Sequence, residues 1–271
     1  MSAPTVLLDA SGLTVRFGGL TALNGASFSV GAGELVGLIG PNGAGKSTCI
    51  DALTGFVPST GSVRFCGAEI NGYSPQRRSL AGLTRTFQSL ELFDDLAVDE
   101  NMLVAAERPR WWVPLADLVA PRRRCASSAL DWVTDVLGIA DLMSRMPDDL
   151  SLGQRKLVGV ARALVAEPRL VLLDEPAAGL DSEESLLFGQ AVKRVVEHGT
   201  SVLLIDHDMG LVLGISDRIY VLEFGEIIAH GSAAEIRTDP RVREAYLGID
   251  DSTEPAVTDA SMPDAVAGEF A

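Results

Sequence analysis

The sequence predicts an α/β fold with a mostly parallel sheet, and three observations predict it. First, Leu35-Val36-Gly37-Leu38-Ile39, Leu170-Val171-Leu172-Leu173 and Val202-Leu203-Leu204-Ile205 are near-continuous apolar runs. Strands covered on both faces of a parallel sheet read this way, whereas half-exposed strands alternate. Second, each run is followed at once by polar chemistry: Gly40 onward, Asp174-Glu175 and Asp206-His207. Ligands of open α/β sheets bind at the carboxyl ends of strands, so three runs aim their ends at one site. Third, the first run leads into a glycine-rich turn and then a helical pattern.

Taken in chain order, Leu7 to Val15 and Ala26 to Val30 read as β-structure ahead of the first run. After the glycine-rich turn, Ile50 and Leu53 form the inner face of a helix that Gly55 can end in the left-handed conformation. Val63 to Phe65 is again β-like, so the N-terminal part supplies an antiparallel β subdomain. From Gly82 to Glu107 polar and apolar residues mix, and Arg108 to Arg124 is rich in Arg, Trp and Pro. Ala126 to Leu142 reads helical, with Leu130, Val133, Leu137 and Leu142 near helical spacing. A further helix is expected from Ser151 to about Glu167, before Pro168, with Leu157, Ala161, Leu164 and Val165 on its buried face. Residues of about 90 to 160 are therefore expected to form an inserted helical subdomain. Ile219 to Leu222 turns at Phe224-Gly225 into Ile227-Ile228, a hairpin. No internal repeat is visible. Residues 5–248 are read as one domain. Residues 249–271, with six acidic side chains, no basic ones, Pro255 and Pro263, are read as a flexible acidic tail.

Gly40-Pro41-Asn42-Gly43-Ala44-Gly45-Lys46-Ser47 fits G-x-x-x-x-G-K-[ST], between a strand and a helix where that motif belongs. Glycines let the backbone curl so that its N–H groups face phosphate oxygens, and the helix N-terminus adds a favourable dipole. Lys46 supplies a point charge to the β- and γ-phosphates, and Ser47 can ligate Mg²⁺. The candidate nucleotide-binding residues here are Gly40, Asn42, Gly43, Ala44, Gly45, Lys46, Ser47 and Thr48. The core is thus a P-loop (RecA-like) core, and this loop alone predicts nucleotide binding; a GTPase or kinase remains open, although no guanine-reading Asn-Lys-x-Asp string is present. Asp174 and Glu175 end the second run. Successive strand residues point to opposite sides, so the two carboxylates can take different tasks. Asp174 would hold Mg²⁺ and Glu175 would polarise the attacking water.

Composition sets further bounds. Of 271 residues 47% are apolar and 22% charged, ordinary globular material of one or two domains. A formal net charge of −15 argues against nucleic acid as a partner and against direct docking on anionic lipid. The best membrane candidate, Trp111 to Ala120, contains Pro114 and Asp117 and is about half the length of a span. The N-terminus lacks the pattern of a signal peptide. Cys49, Cys66 and Cys125 form neither a close pair nor a metal spacing, which suits reduced thiols in a cytosolic protein.

Further motifs give the sequence a specific resemblance. Leu150-Ser151-Leu152-Gly153-Gln154 resembles the signature sequence of ABC ATPases, and it lies just upstream of the Asp-Glu pair as it does in that family. Ser151 and Gln154 also stand at capping-box spacing, which a plain helix start explains equally. Ala178-Gly179-Leu180-Asp181 resembles the D-loop, Gln88 in Thr86-Phe87-Gln88 the Q-loop glutamine, His207 the switch histidine, and Phe17 the aromatic that stacks on adenine; a core position is the other role open to Phe17. The motifs match over about residues 5 to 240. The signature departs from the common form at Leu152. The resemblance implies a Mg²⁺-dependent ATPase in which Gln88 joins Ser47 and Asp174 at the metal and His207 joins Glu175 and Lys46 in catalysis. It implies a head-to-tail dimer, homodimer or heterodimer with a related ATPase. Each ATP would lie between the phosphate loop of one chain and Ser151, Gly153 and Gln154 of the other.

A narrower resemblance, to the ATPases of branched-chain amino-acid importers, rests on dispersed strings. They are Gly82-Leu83-Thr84-Arg85-Thr86-Phe87-Gln88, Leu92-Phe93, Val98 to Asn101, Pro176 to Leu180, Ile205 to Met209, Gly214 to Val221 and Ala245-Tyr246-Leu247-Gly248. It implies an energising subunit bound to two integral membrane permease subunits at the cytoplasmic face of the membrane, with an extracytoplasmic solute-binding protein delivering substrate. Importers of urea, amides or other small solutes look similar, and a non-transport soluble ABC protein is the rival class. Trp111 and Trp112 either join the coupling surface near Gln88 or cover the insert's own core.

Overall fold

A computed structural model of the chain describes residues 5–86, 92–106 and 123–247. Gln88, Trp111, Trp112 and the 249–271 segment lie outside the described residues.

Two sheets share the molecule. The first is antiparallel, in the order β2-β1-β4-β5, formed by β1 (Val6–Phe17), β2 (Leu20–Gly31), β4 (Thr60–Phe65) and β5 (Ala68–Glu69). The second is six-stranded, in the order β10-β9-β3-β8-β7-β6. Its members are β3 (Leu35–Ile39), β6 (Leu83–Arg85), β7 (Leu170–Asp174), β8 (Ser201–Ile205), β9 (Arg218–Glu223) and β10 (Glu226–Gly231). All its pairings are parallel except the β9–β10 hairpin.

The continuous apolar runs have the cause the sequence suggested. Every residue of β3, β7 and β8 is buried. Alternate residues enter two cores: Leu35, Val171 and Leu204 pack with the helices on one face, and Val36, Leu172 and Leu203 pack with the antiparallel sheet on the other. Alternation by position is intact; both faces are simply covered.

Helices α1 (Lys46–Thr54) and α2 (Pro75–Leu80) follow β3 and β5. Gly55 does end α1 in the left-handed conformation, at φ 81. Helices α3 (Val98–Ala106), α4 (Arg123–Leu137) and α5 (Leu152–Leu164) occupy the region expected to be helical. Met102, Val133 and Val158 of these helices meet in one apolar cluster. Two boundaries differ from expectation. The Ala126–Leu142 pattern is not one helix: Gly138 at φ 67 stops α4 after Leu137, and Leu142 is buried from a separate 3-10 turn. Helix α5 stops at Leu164, because Glu167 turns to φ 51 ahead of Pro168, whose ring disfavours a helical predecessor. Its buried surface is also wider than one stripe. Leu157 is only half-buried, while Lys156, Val158 and Val160 are buried beside Ala161 and Leu164.

Helix α6 (Ser182–Glu197) lays Phe188, Ala191, Val192 and Val195 on the sheet, and α7 (Met209–Ile215) crosses β3. A Cβ on Gly37 would stand 2.4 Å from Val212 Cγ1, so the bare strand lets α7 sit close. Helices α8 (Ala233–Thr238) and α9 (Pro240–Leu247) close the described chain. Tyr246 of α9 brings its phenol oxygen against the Gly40 amide, and burial pushes its pKa up to about 12.

Candidate active site

The carboxyl ends of β3, β7 and β8 converge, and the loops after them carry the chemistry. The loop after β3 is forced by contact as much as by conformation. A Cβ on Gly40 would stand 2.1 Å from the Leu222 carbonyl oxygen, and one on Gly45 2.5 Å from that of Ala22. Gly45 also takes φ 106 as it caps α1. Only glycine satisfies both demands. Lys46 folds back over the loop, donating to the Gly40 carbonyl at 2.7 Å and the Pro41 carbonyl at 3.1 Å. Burial lowers its pKa, and the fields of Glu175, Asp174 and Asp206 oppose that shift. These three carboxylates, at or just after the carboxyl ends of β7 and β8, thus contribute to the field at the ammonium group. Ser47 is exposed beside it.

Asp174 is the last residue of β7 and is buried. Its Oδ2 accepts from Arg85 at 3.1 Å, while its Oδ1 is buried without a hydrogen-bond partner. Burial raises its pKa first; Arg85 pulls it back and Glu175 pushes it up again. Glu175 lies beyond the strand. Its backbone turns to φ 47, and its N–H donates to the Ile205 carbonyl at 2.7 Å. Glu175 thus lies outside the strand in a left-handed turn, so strand alternation does not relate the two carboxylates.

Asp206, fully buried, organises the loop after β8. It accepts from Ala177 N at 2.9 Å and from Asp208 N at 3.0 Å, and its Oδ1 lies 3.5 Å from His207 Nδ1. His207 itself is largely exposed, with its Nδ1 near that carboxylate. Lys156 of α5 is buried, and the fields of Asp206 and Glu175 oppose the lowering of its pKa by burial. Phe17, at the end of β1, is half-exposed, which rules out the core position. Its hairpin partner Leu20 leads to Ala22, whose carbonyl faces Gly45.

At the start of α5, Ser151 caps the helix reciprocally with Gln154. Ser151 Oγ accepts from Gln154 N at 3.3 Å and Gln154 Oε1 accepts from Ser151 N at 3.0 Å. The Ser151 hydroxyl also donates to Glu184 Oε1 at 3.3 Å, and a Cβ on Gly153 would stand 3.1 Å from that same oxygen. A carboxylate of the chain itself thus lies beside the start of the helix, bonded to the Ser151 hydroxyl. Leu152 points outward, with Cδ2 3.1 Å from where a Gly179 Cβ would be. Among the described residues no hydrogen bond or ion pair joins Ser151, Gly153 or Gln154 to the phosphate loop. One group is therefore gathered, Lys46 with Asp174, Glu175, Asp206 and, through Asp206, His207. The signature stands apart from it. Arg85, Asp206, Glu184 and Lys156 were not singled out as site residues in the sequence; Asp206 alone carried a signal, as a carboxylate directly after an apolar run.

The described residues contain no group of three or more His, Cys, Asp or Glu set to hold a metal. Mg²⁺ asks for less: one or two protein oxygens, with waters and phosphates completing its shell. The orphaned Asp174 Oδ1 and the open Ser47 hydroxyl fit that demand.

A parallel sheet with a phosphate loop and a carboxylate pair at its carboxyl edge defines a P-loop nucleotide-binding protein. The ABC transporter family model matches residues 23–178, more than half of the chain, and the chain belongs to that family. A model of branched-chain amino acid ATP-binding cassette transporters matches residues 226–252. The chain is 40% identical over 256 residues to the high-affinity branched-chain amino acid transport ATP-binding protein LivG of Salmonella typhimurium, covering 92% of this chain and 99% of that one. It is 41% identical over 256 residues, with the same coverage, to the corresponding BraF protein of Pseudomonas aeruginosa. An ATP-binding cassette of an ABC transporter solved in its ADP conformation superposes with a TM-score of 0.80 at 31% identity, covering 90% of this chain and 99% of that chain. A nucleotide-free cassette superposes at 0.79 with 31% identity, covering 90% of this chain and 100% of the other.

Proposed function

We propose that this chain is the ATP-hydrolysing subunit of an importer for branched-chain amino acids. The observation that carries the enzymatic part is the meeting of Lys46, Asp174 and Glu175 in one electrostatic field at the carboxyl ends of β3 and β7. The names of the LivG and BraF relatives favour the substrate class.

ATP would lie with its phosphates over residues 40–48 and its adenine on the half-exposed ring of Phe17. Lys46, released from the Gly40 carbonyl, would bind the β- and γ-phosphates. Ser47 and Asp174 would hold Mg²⁺, joined by Gln88, and the ion would offset charge on the phosphate oxygens. Glu175 accepts a proton from water as the water oxygen bonds to the γ-phosphorus. The bond from that phosphorus to the bridging oxygen breaks, and ADP leaves with the electron pair, its charge met by Lys46. His207, beside Asp206, would face the γ-phosphate.

Ser151, Gly153 and Gln154 complete the site of a second ATPase copy or a related ATPase, so closure must displace Glu184 from Ser151. Residues 5–248 act as one ATPase domain, with 90–160 as the helical insert and 249–271 as an acidic extension. No helix among the described residues is long and apolar enough to cross a membrane. Attachment to the cytoplasmic face would run through two integral permease subunits, with a solute-binding protein on the other side.

Glu175→Gln tests the enzymatic claim: ATP binding is retained, and the Mg²⁺-dependent rate falls by roughly 10²-fold or more. An unchanged rate would remove Glu175 from its role. Uptake into vesicles containing the co-purified permease tests the substrate: leucine, isoleucine and valine are taken up with ATP, and uptake of urea or amides instead would overturn that assignment.

A further inference from the structure

Arg85, the last residue of β6, takes no part in the chemistry above, yet it lies under the metal site. Its guanidinium side chain is 11% exposed. One nitrogen donates to Asp51 Oδ1 and another to Asp174 Oδ2 at 3.1 Å. Asp51 stands four residues after Ser47 in α1, hence on the same helix face, one turn below. Each carboxylate therefore belongs to an element that carries a candidate metal ligand. The backbone is pinned as well, since Thr86 N–H donates to the Leu172 carbonyl at 2.9 Å and fixes the end of β6 against β7. With Oδ2 taken by Arg85, Asp174 keeps Oδ1, buried and unpartnered.

We propose that Arg85 is a positioning residue for the divalent cation that accompanies ATP. It spaces Asp174 from the Ser47 turn of α1, so that Asp174 Oδ1 and the Ser47 hydroxyl face the ion together. The inference rests on the nucleotide reading above. Outer groups that orient metal ligands typically contribute 10- to 100-fold in metal affinity or activity. A planar fork that spans two carboxylates is also not replaced by the single ammonium of lysine.

The test compares ATP binding to the full chain in EDTA with binding under titrated MgCl₂, in a Glu175→Gln background so that nothing is hydrolysed. In Arg85→Gln the Mg²⁺ concentration for half-maximal effect rises about 10- to 100-fold while metal-free ATP binding is unchanged. Arg85→Lys and Asp51→Asn lie between it and the parent. A merely structural strut would lower metal-free and Mg²⁺-supported binding together, and that result would overturn the proposal. So would an unchanged Mg²⁺ requirement in folded Arg85→Gln, or, if that variant does not fold, in both Arg85→Lys and Asp51→Asn. A parent chain whose ATP binding gains nothing from Mg²⁺ would overturn the metal site itself, and the role of Arg85 with it.

Discussion

Glu175 is held where a β-carbon is unwelcome. At φ 47 it occupies the left-handed region, which costs a non-glycine residue on the order of 1 kcal/mol. It also lies in the field of Asp174. The turn takes the residue out of the alternation of the strand. Glu175→Gly is expected to raise unfolding free energy by roughly 0.5–1 kcal/mol while abolishing hydrolysis; denaturant titration checks it, and a less stable variant would contradict the strain argument. Cysteine behaviour belongs at this scale too. Burial pushes the Cys49 thiol up to about 12, whereas Cys66 is exposed. In a Cys125→Ser background a disulfide reagent at pH 8 should label Cys66 readily and Cys49 only after unfolding. Labelling of native Cys49 at the Cys66 rate would show that α1 opens. The Asp174-Glu175 pair was legible only through its coincidence with the phosphate loop, because an acidic pair after a buried strand is by itself more often plain surface. The turn that separates them was not, since no glycine or asparagine marks it.

At the scale of elements, the loop after β3 depends on close backbone approach. Gly40→Ala would drive a methyl group into the Leu222 carbonyl, 2.1 Å away, in a neighbouring strand that cannot yield. It should cost about 1–3 kcal/mol of stability and weaken nucleotide binding with it. Thermal unfolding with and without ATP reads both, and wild-type values for both would contradict the contact argument. The strands were legible because each run feeds two cores, and so were the caps, because Ser151 and Gln154 meet at fixed spacing in the chain. The ends of α4 and α5 were less so: Gly138 and Glu167 turn the backbone locally after sequences that would continue a helix. Arg85 and Glu184 were illegible for a different reason. Their partners Asp51, Asp174 and Ser151 lie in other elements, and a single sequence does not register contacts between elements.

For the molecule as a whole, one chain presents a phosphate loop with its carboxylates and, elsewhere, a capped helix end whose Ser151 hydroxyl donates to its own Glu184. On the proposed function, the phosphate loop holds the nucleotide and the Ser151 turn completes the site of a second molecule. A γ-phosphate would then take the Ser151 hydroxyl from Glu184 and favour the joined state until hydrolysis removes it. The direct test is the mass in solution of Glu175→Gln at equal protein concentration with ATP, with ADP, and with ATP after Ser151→Arg is added. The account predicts a doubling from 28.6 kDa with ATP alone, and a single chain in the other two conditions although ATP still binds. A Ser151→Arg chain that pairs as readily as its parent, or an ATP-loaded parent that stays single, would contradict it.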